Sequence, residues 1–166
     1  MFEASTLSDT MQSGLLAGMG ARQQGFDSQA MQQAMHLYWN AHLQAGLART
    51  WARLTGRRRE LASLAETTAA TSICDRHYAG TRTVAIASIR GSENRTHDFD
   101  RNFLPLQEHS RGRWLSVARA RLGRVALPPV ELVQVGDAYY VRDGHHRISV
   151  AKALGENFIE AEVTAW

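Results

Sequence analysis

Between Tyr140 and Ala151 the side-chain pattern changes period across one glycine: Tyr140-Val141-Arg142-Asp143-Gly144-His145-His146-Arg147-Ile148-Ser149-Val150-Ala151. The residues ahead of Gly144 suit a strand. Those behind it suit a short helix over Ile148 to Leu154, closed by Gly155 where a left-handed cap is favoured. Gly144 permits the tight turn and lets a ligand come close to the backbone. The amides of His145, His146 and Arg147 then lie at a helix start, point outward and have no partner of their own. Such a start favours an anion, because the helix dipole adds to the amide donors. Arg147 can add bidentate bonds to phosphate oxygens, and His146 a further donor. The same residues also read as a plain helix start, in which Asp143 and the two histidines cap the turn and satisfy buried carbonyls. Local physics weighs the two about equally.

The flanking pattern places this turn inside a small α+β unit. Val130 to Val135 forms a strand, Gly136-Asp137 signals a turn, and Ala138 to Val141 returns as the second arm of a hairpin. Phe158 to Val163 alternates and reads as a last strand with one wet face. Thr83 to Ile89 reads as an opening strand, followed by a polar loop from Arg90 to Asp98. Ser110 can cap a helix with Trp114, Val117, Ala118 and Leu122 on one face, and Pro128-Pro129 ends that pattern. Upstream of residue 80 the period is helical. Met31, Ala34, Met35, Tyr38, Ala41, His42, Ala45 and Ala48 make one apolar stripe, continued by Trp51 and Leu54. A shorter helix carries Leu61, Leu64 and Ala65. The division expected is a loose tail over 1–27, a helical arm over 28–80 and an α+β domain over 81–166.

Composition narrows the function. The chain has 166 residues, 44% of them apolar and 21% charged, which suits one globular domain and excludes wholesale disorder. No apolar run spans a bilayer, the first residues lack a secretory signal, and a cytoplasmic protein is expected. Cys74 is the lone cysteine, so an internal disulfide and cysteine-rich zinc sites are excluded. The net charge is +3, and eighteen of the nineteen basic residues are arginine. Eight of those arginines fall between Arg90 and Arg124 against four acids, a local +4. A nucleic-acid interface would draw on Arg57, Arg58, Arg59, Arg113 and Arg119 through phosphate contacts. The cluster at Arg57 to Arg59 reads equally as a solvated helix terminus that complements the dipole. His97, Asp98, Asp143, His145 and His146 lack the helical spacing of a zinc site, and no dedicated metal site is expected.

Leu127-Pro128-Pro129-Val130, the hairpin, Asp143-Gly144-His145-His146-Arg147, Ala151 and Leu154-Gly155 together resemble the ParB/sulfiredoxin superfamily, specifically its ParB N-terminal-like domain. The resemblance covers about residues 82 to 163 and implies a small mixed sheet with short helices. It implies a nucleotide, CTP or ATP/ADP with Mg²⁺, whose phosphates are held by Gly144, His145, His146 and Arg147. Val84 to Arg95 is similar to the family's opening strand and loop, which puts Arg95 where ParB proteins carry a ligand-facing arginine. Sulfiredoxins place a cysteine where this chain has His145, so sulfinic acid reduction is not expected. ParB proteins hydrolyse CTP as DNA clamps and add a helix-turn-helix domain, which this sequence does not show after its last strand. Free-serine kinases share Asp-Gly-His-His-Arg, and there a carboxylate takes the acceptor's proton. Glu93, Asp98 and Asp100 are the candidates here, with Glu93 preferred as the catalytic residue. The expectation is a nucleotide-binding domain, with nucleotide hydrolysis or small-molecule phosphotransfer as its activity. The alternative is a non-enzymatic nucleic-acid-binding module or a partner-docking protein, with the N-terminal helix as a homodimer interface.

Overall fold

A computed structural model describes residues 5–56, 60–69 and 75–166, with side chains described from residue 27 onward. Arg57, Arg58, Arg59 and Cys74 lie outside the described residues. The fold is α+β: a six-stranded mixed sheet, three helices of six to twelve residues, and one long helix ahead of them.

Helix α1 runs Ser5–Thr55, so it begins well before the expected start at Ser28 and takes in most of the stretch read as a loose tail. Its apolar residues also do not form one stripe. Ala30, Ala34, Tyr38, Ala41 and Ala45 are buried, whereas Met35, Trp51 and Leu54 are exposed. Size sorts the two sets. Alanines let α1 approach the next helices closely, and Tyr38, with Leu37 beside it, fills the gap, packed edge-on against Trp114 at 5.4 Å.

The strands are β1 (Ala62–Ser63), β2 (His77–Ala85), β3 (Ile89–Ser92), β4 (Val130–Val135), β5 (Ala138–Asp143) and β6 (Phe158–Ala165). Their order is β1-β3-β5-β4-β6-β2. The β2/β6 and β4/β5 pairs are antiparallel, and the other three are parallel. The expected strand over Thr83 to Ile89 is two strands parted by a 3₁₀ turn at Ile86–Ser88, which carries the chain from one side of the sheet to the other. An unbroken β-branched run conceals that break, because Ile86 is buried in the turn and donates its amide to Asn157 O at 2.9 Å.

Alternate residues of the central strands serve different faces. Leu132 and Val141 join Ile148, Ala151, Phe99 and Phe103 on one side. Val133 and Tyr140 meet Leu64 on the other, from α2 (Leu64–Ala69). Helix α3 (Arg111–Leu122) then packs Trp114 and Ala118 against α1 and against Val150 of α4 (His145–Ala153). The buried Trp114 Nε1 donates to Ser149 Oγ at 2.9 Å and ties α3 to α4. Ser110 does not cap α3 through its side chain; its hydroxyl donates to Gln107 O at 2.9 Å instead.

Candidate functional site

The hairpin delivers β5 into α4 through Gly144, as the sequence predicts, but the helix opens at His145 rather than Ile148. Gly144 sits at φ 100°, in the left-handed region, and a Cβ there would lie 2.5 Å from Val130 Cγ1. No other residue type satisfies both the backbone and the space. The first-turn amides of His145, His146 and Arg147 precede the point at which intrahelical bonding begins, at Ile148 N to Gly144 O, 3.0 Å.

The two histidines are buried and face different partners. His145 Nε2 lies 2.7 Å from Ser92 Oγ, whose oxygen also accepts the amide of Arg95 at 2.9 Å and that of Asn94 at 3.3 Å. The Ser92 hydroxyl has two groups in reach, His145 Nε2 and Val141 O at 3.5 Å, so the His145 tautomer sets the direction of the Ser92–His145 bond. Phe99 lies beneath both rings, stacked on His145 at 5.9 Å and edge-on to His146 at 5.2 Å. The His146 Nδ1 is buried without a hydrogen-bond partner among the described residues. Burial first, then the Arg95 guanidinium, pushes His145 down to about 4. Burial first, then Arg113 and Arg95, does the same to His146. Both rings are therefore neutral at pH 7.

These groups line a cavity of about 280 Å³ bounded by Arg95, Arg113, Val117, Leu127, Pro128, Asp143, Gly144, His145, His146 and Arg147. The site holds two guanidinium groups, of Arg95 and Arg113, that help keep the neighbouring histidines neutral, together with a helix start. It is an electropositive recess, suited to an anion.

The structure brings Arg95, Gly144, His145, His146 and Arg147 together as expected, but gives them unequal roles. Arg147 donates through one terminal nitrogen to Pro128 O and Pro129 O at 2.5 and 2.7 Å, and through the other to Asp143 at 2.5 Å. It clamps the α3–β4 connection onto α4. Arg95 pairs with Asp98 at 3.3 Å and remains about two-fifths exposed at the rim. Glu93 does not line the cavity; its carboxylate accepts from Arg142 Nε at 3.1 Å. Asp100, the other carboxylate considered as a base, is buried and accepts the amides of Asn102 and Leu104 at 2.8 and 2.9 Å.

Arg113 belongs to this cavity rather than to a separate basic surface, and Arg119 does not line it. Ser92, Phe99 and the Leu127–Pro128 wall were not singled out as site residues from sequence. The legible signal for Arg113 was its spacing. Arg113 and Val117 are four apart and share the α3 face beside buried Trp114. A second cleft of about 190 Å³ lies across Arg147 and Pro128 and adds Pro129, Val130, Val150, Phe158 and Ile159.

No family model matches the chain, and no curated protein matches it. Among solved structures it is similar to a sulfiredoxin from Arabidopsis thaliana, at 18% identity and a TM-score of 0.36, over 50% of this chain and 82% of that one. No described helix is long and apolar enough to cross a membrane.

Proposed function

We propose that the recess at the start of α4 binds the phosphates of a nucleotide, CTP or ATP/ADP. The observation that carries this is the convergence of Arg95, Arg113, His146 and the free end of a helix on one cavity. Arg95 and Arg113 supply charged donors, and the α4 amides supply neutral ones. Arg147 positions the wall. The neighbouring cleft, whose lining mixes Pro129, Val150 and Phe158 with Arg121 and Glu160, offers a nucleobase a place on the other side of Pro128.

Mg²⁺ would arrive on the phosphates. The nearby carboxylates, Asp143 and Asp98, are held by Arg147 and Arg95, and one carboxylate with phosphate oxygens and water suits this ion. Hydrolysis or phosphotransfer needs a base near the recess. Neither Glu93 nor Asp98 lines the cavity, and Asp143, which does, is held by Arg147, so this reading assigns phosphate binding and no base.

Calorimetric titration with CTP, ATP and ADP, with and without Mg²⁺, tests the assignment. Saturable binding of one of them, weakened about tenfold or more by Arg113→Ala, is expected from the loss of one charged hydrogen bond. Absence of binding to all three would remove the reading. The nucleic-acid alternative then predicts affinity for mixed DNA that falls steeply with salt.

A further inference from the structure

The exposed large apolar side chains are concentrated on one element. Among the described residues there are nine, and six lie on α1: Met35 (38% exposed), Trp39 (46%), Leu43 (62%), Leu47 (74%), Trp51 (65%) and Leu54 (77%). They step by four, four, four, four and three residues, so they form a single i±4 ridge. The opposite face of the same helix packs on α3 and α4 through Ala34 and Tyr38. This ridge therefore lies outside the core of its own chain, and contiguous apolar surface of this kind marks an interaction site.

Two features point to one occupant. The ridge reads nearly the same in both directions about Ala45: Met35-Trp39-Leu43, then Leu47-Trp51-Leu54. A two-fold axis near Ala45 would set Trp39 against Trp51 and Leu43 against Leu47, the self-complementarity an isologous interface demands, and makes the two helices antiparallel. No Asp, Glu, Lys or Arg occurs between Asp27 and Arg49, and Arg49 turns back to Leu106 O of its own chain at 3.3 Å. The second feature is Gly46. Glycine is disfavoured in a helix interior, and nothing within 4 Å would meet a Cβ there. Gly46 sits beside the midpoint of the ridge, where two crossing helices come closest.

We infer that this ridge docks a second copy of the chain, α1 against α1, antiparallel and crossing near Gly46 with the ridges interlocked. The nucleotide recess lies on other elements, so this interface stands or falls independently of the ligand assignment.

Sedimentation of the full chain from micromolar to tens of micromolar concentration tests it, with vesicle flotation in parallel. A dimer is expected, weakened about tenfold or more by Leu47→Glu. Gly46→Leu separates docking from folding. It meets open space within one chain and should preserve or raise thermal stability, while abolishing the dimer. A monomeric wild type, or a dimer that survives both substitutions, would overturn the inference. So would a monomer that floats with phosphatidylserine vesicles, which would reassign the ridge to a membrane surface.

Discussion

His146 is buried beside Arg113 and Arg95 with its Nδ1 unbonded among the described residues, and the consequences are local. Its pKa is lowered to about 4 by burial, Arg113 and Arg95. A bound anion reverses the last two causes and offers the protonated ring a partner. Sulfate, whose charge is constant over this range, should therefore raise the His146 pKa, and its affinity should climb as pH falls from 7 to 5. Proton-detected titration of the imidazole with and without sulfate reads both. An unchanged pKa would place the anion elsewhere. Gly144 makes a second prediction at this scale. Gly144→Ala meets a forbidden φ and Val130 together, for a loss of about 2–4 kcal/mol in denaturant unfolding. Gly155→Ala, at φ 78° with open space around it, should cost only about 1 kcal/mol. Equal costs would show that the contact with Val130 is slack.

Two connecting segments hold the site, and each depends on one side chain. Arg147 binds two carbonyls and a carboxylate, joining the Pro128-Pro129 segment to α4. Arg147→Ala should lower stability by about 2–3 kcal/mol, and Arg147→Lys should recover little, since a point charge cannot replace a planar fork. A full recovery by lysine in thermal melts would refute the clamp. The segment 98–106 is shaped by Asp100, which caps two amides and lets Phe103 adopt φ 60° beneath the sheet. Asp100→Ala should cost about 2–4 kcal/mol and, by releasing Phe99 from beneath both rings, raise the histidine pKa values toward 6.5. These roles were not visible in sequence. Arg147 and Asp100 fitted a ligand contact and a base equally well, and only the tertiary structure shows Arg147 held by two carbonyls and Asp143, and Asp100 by two amides.

Across the whole molecule, the two buried histidines couple stability to pH. Each titrates near 4 when folded and near 6.5 when unfolded, so the unfolded chain binds more protons between those values. Stability should be level above pH 6.5 and fall as pH drops toward 4, by on the order of 2–3 kcal/mol per histidine. Urea midpoints from pH 4 to 8 check this, and a midpoint that rises on acidification would contradict the assignment. The hairpin, the Gly144 turn, the last strand and the helix carrying Trp114 were legible in sequence, because each rests on near-neighbour rules: period, turn chemistry and proline. The cavity lining was legible in part, since Gly144, His145, His146 and Arg147 are consecutive. The strand break at Ile86, the partition of α1 into a buried alanine face and an exposed ridge, and the entry of Arg113 into the recess were decided by tertiary structure. Each depends on what lies opposite a residue rather than beside it. The sequence by itself determined where the chain turns and which residues open α4. Which of those side chains hold the fold, and which only line the cavity, was decided by packing, because a hydrogen bond made to a distant carbonyl leaves no periodic trace along the chain.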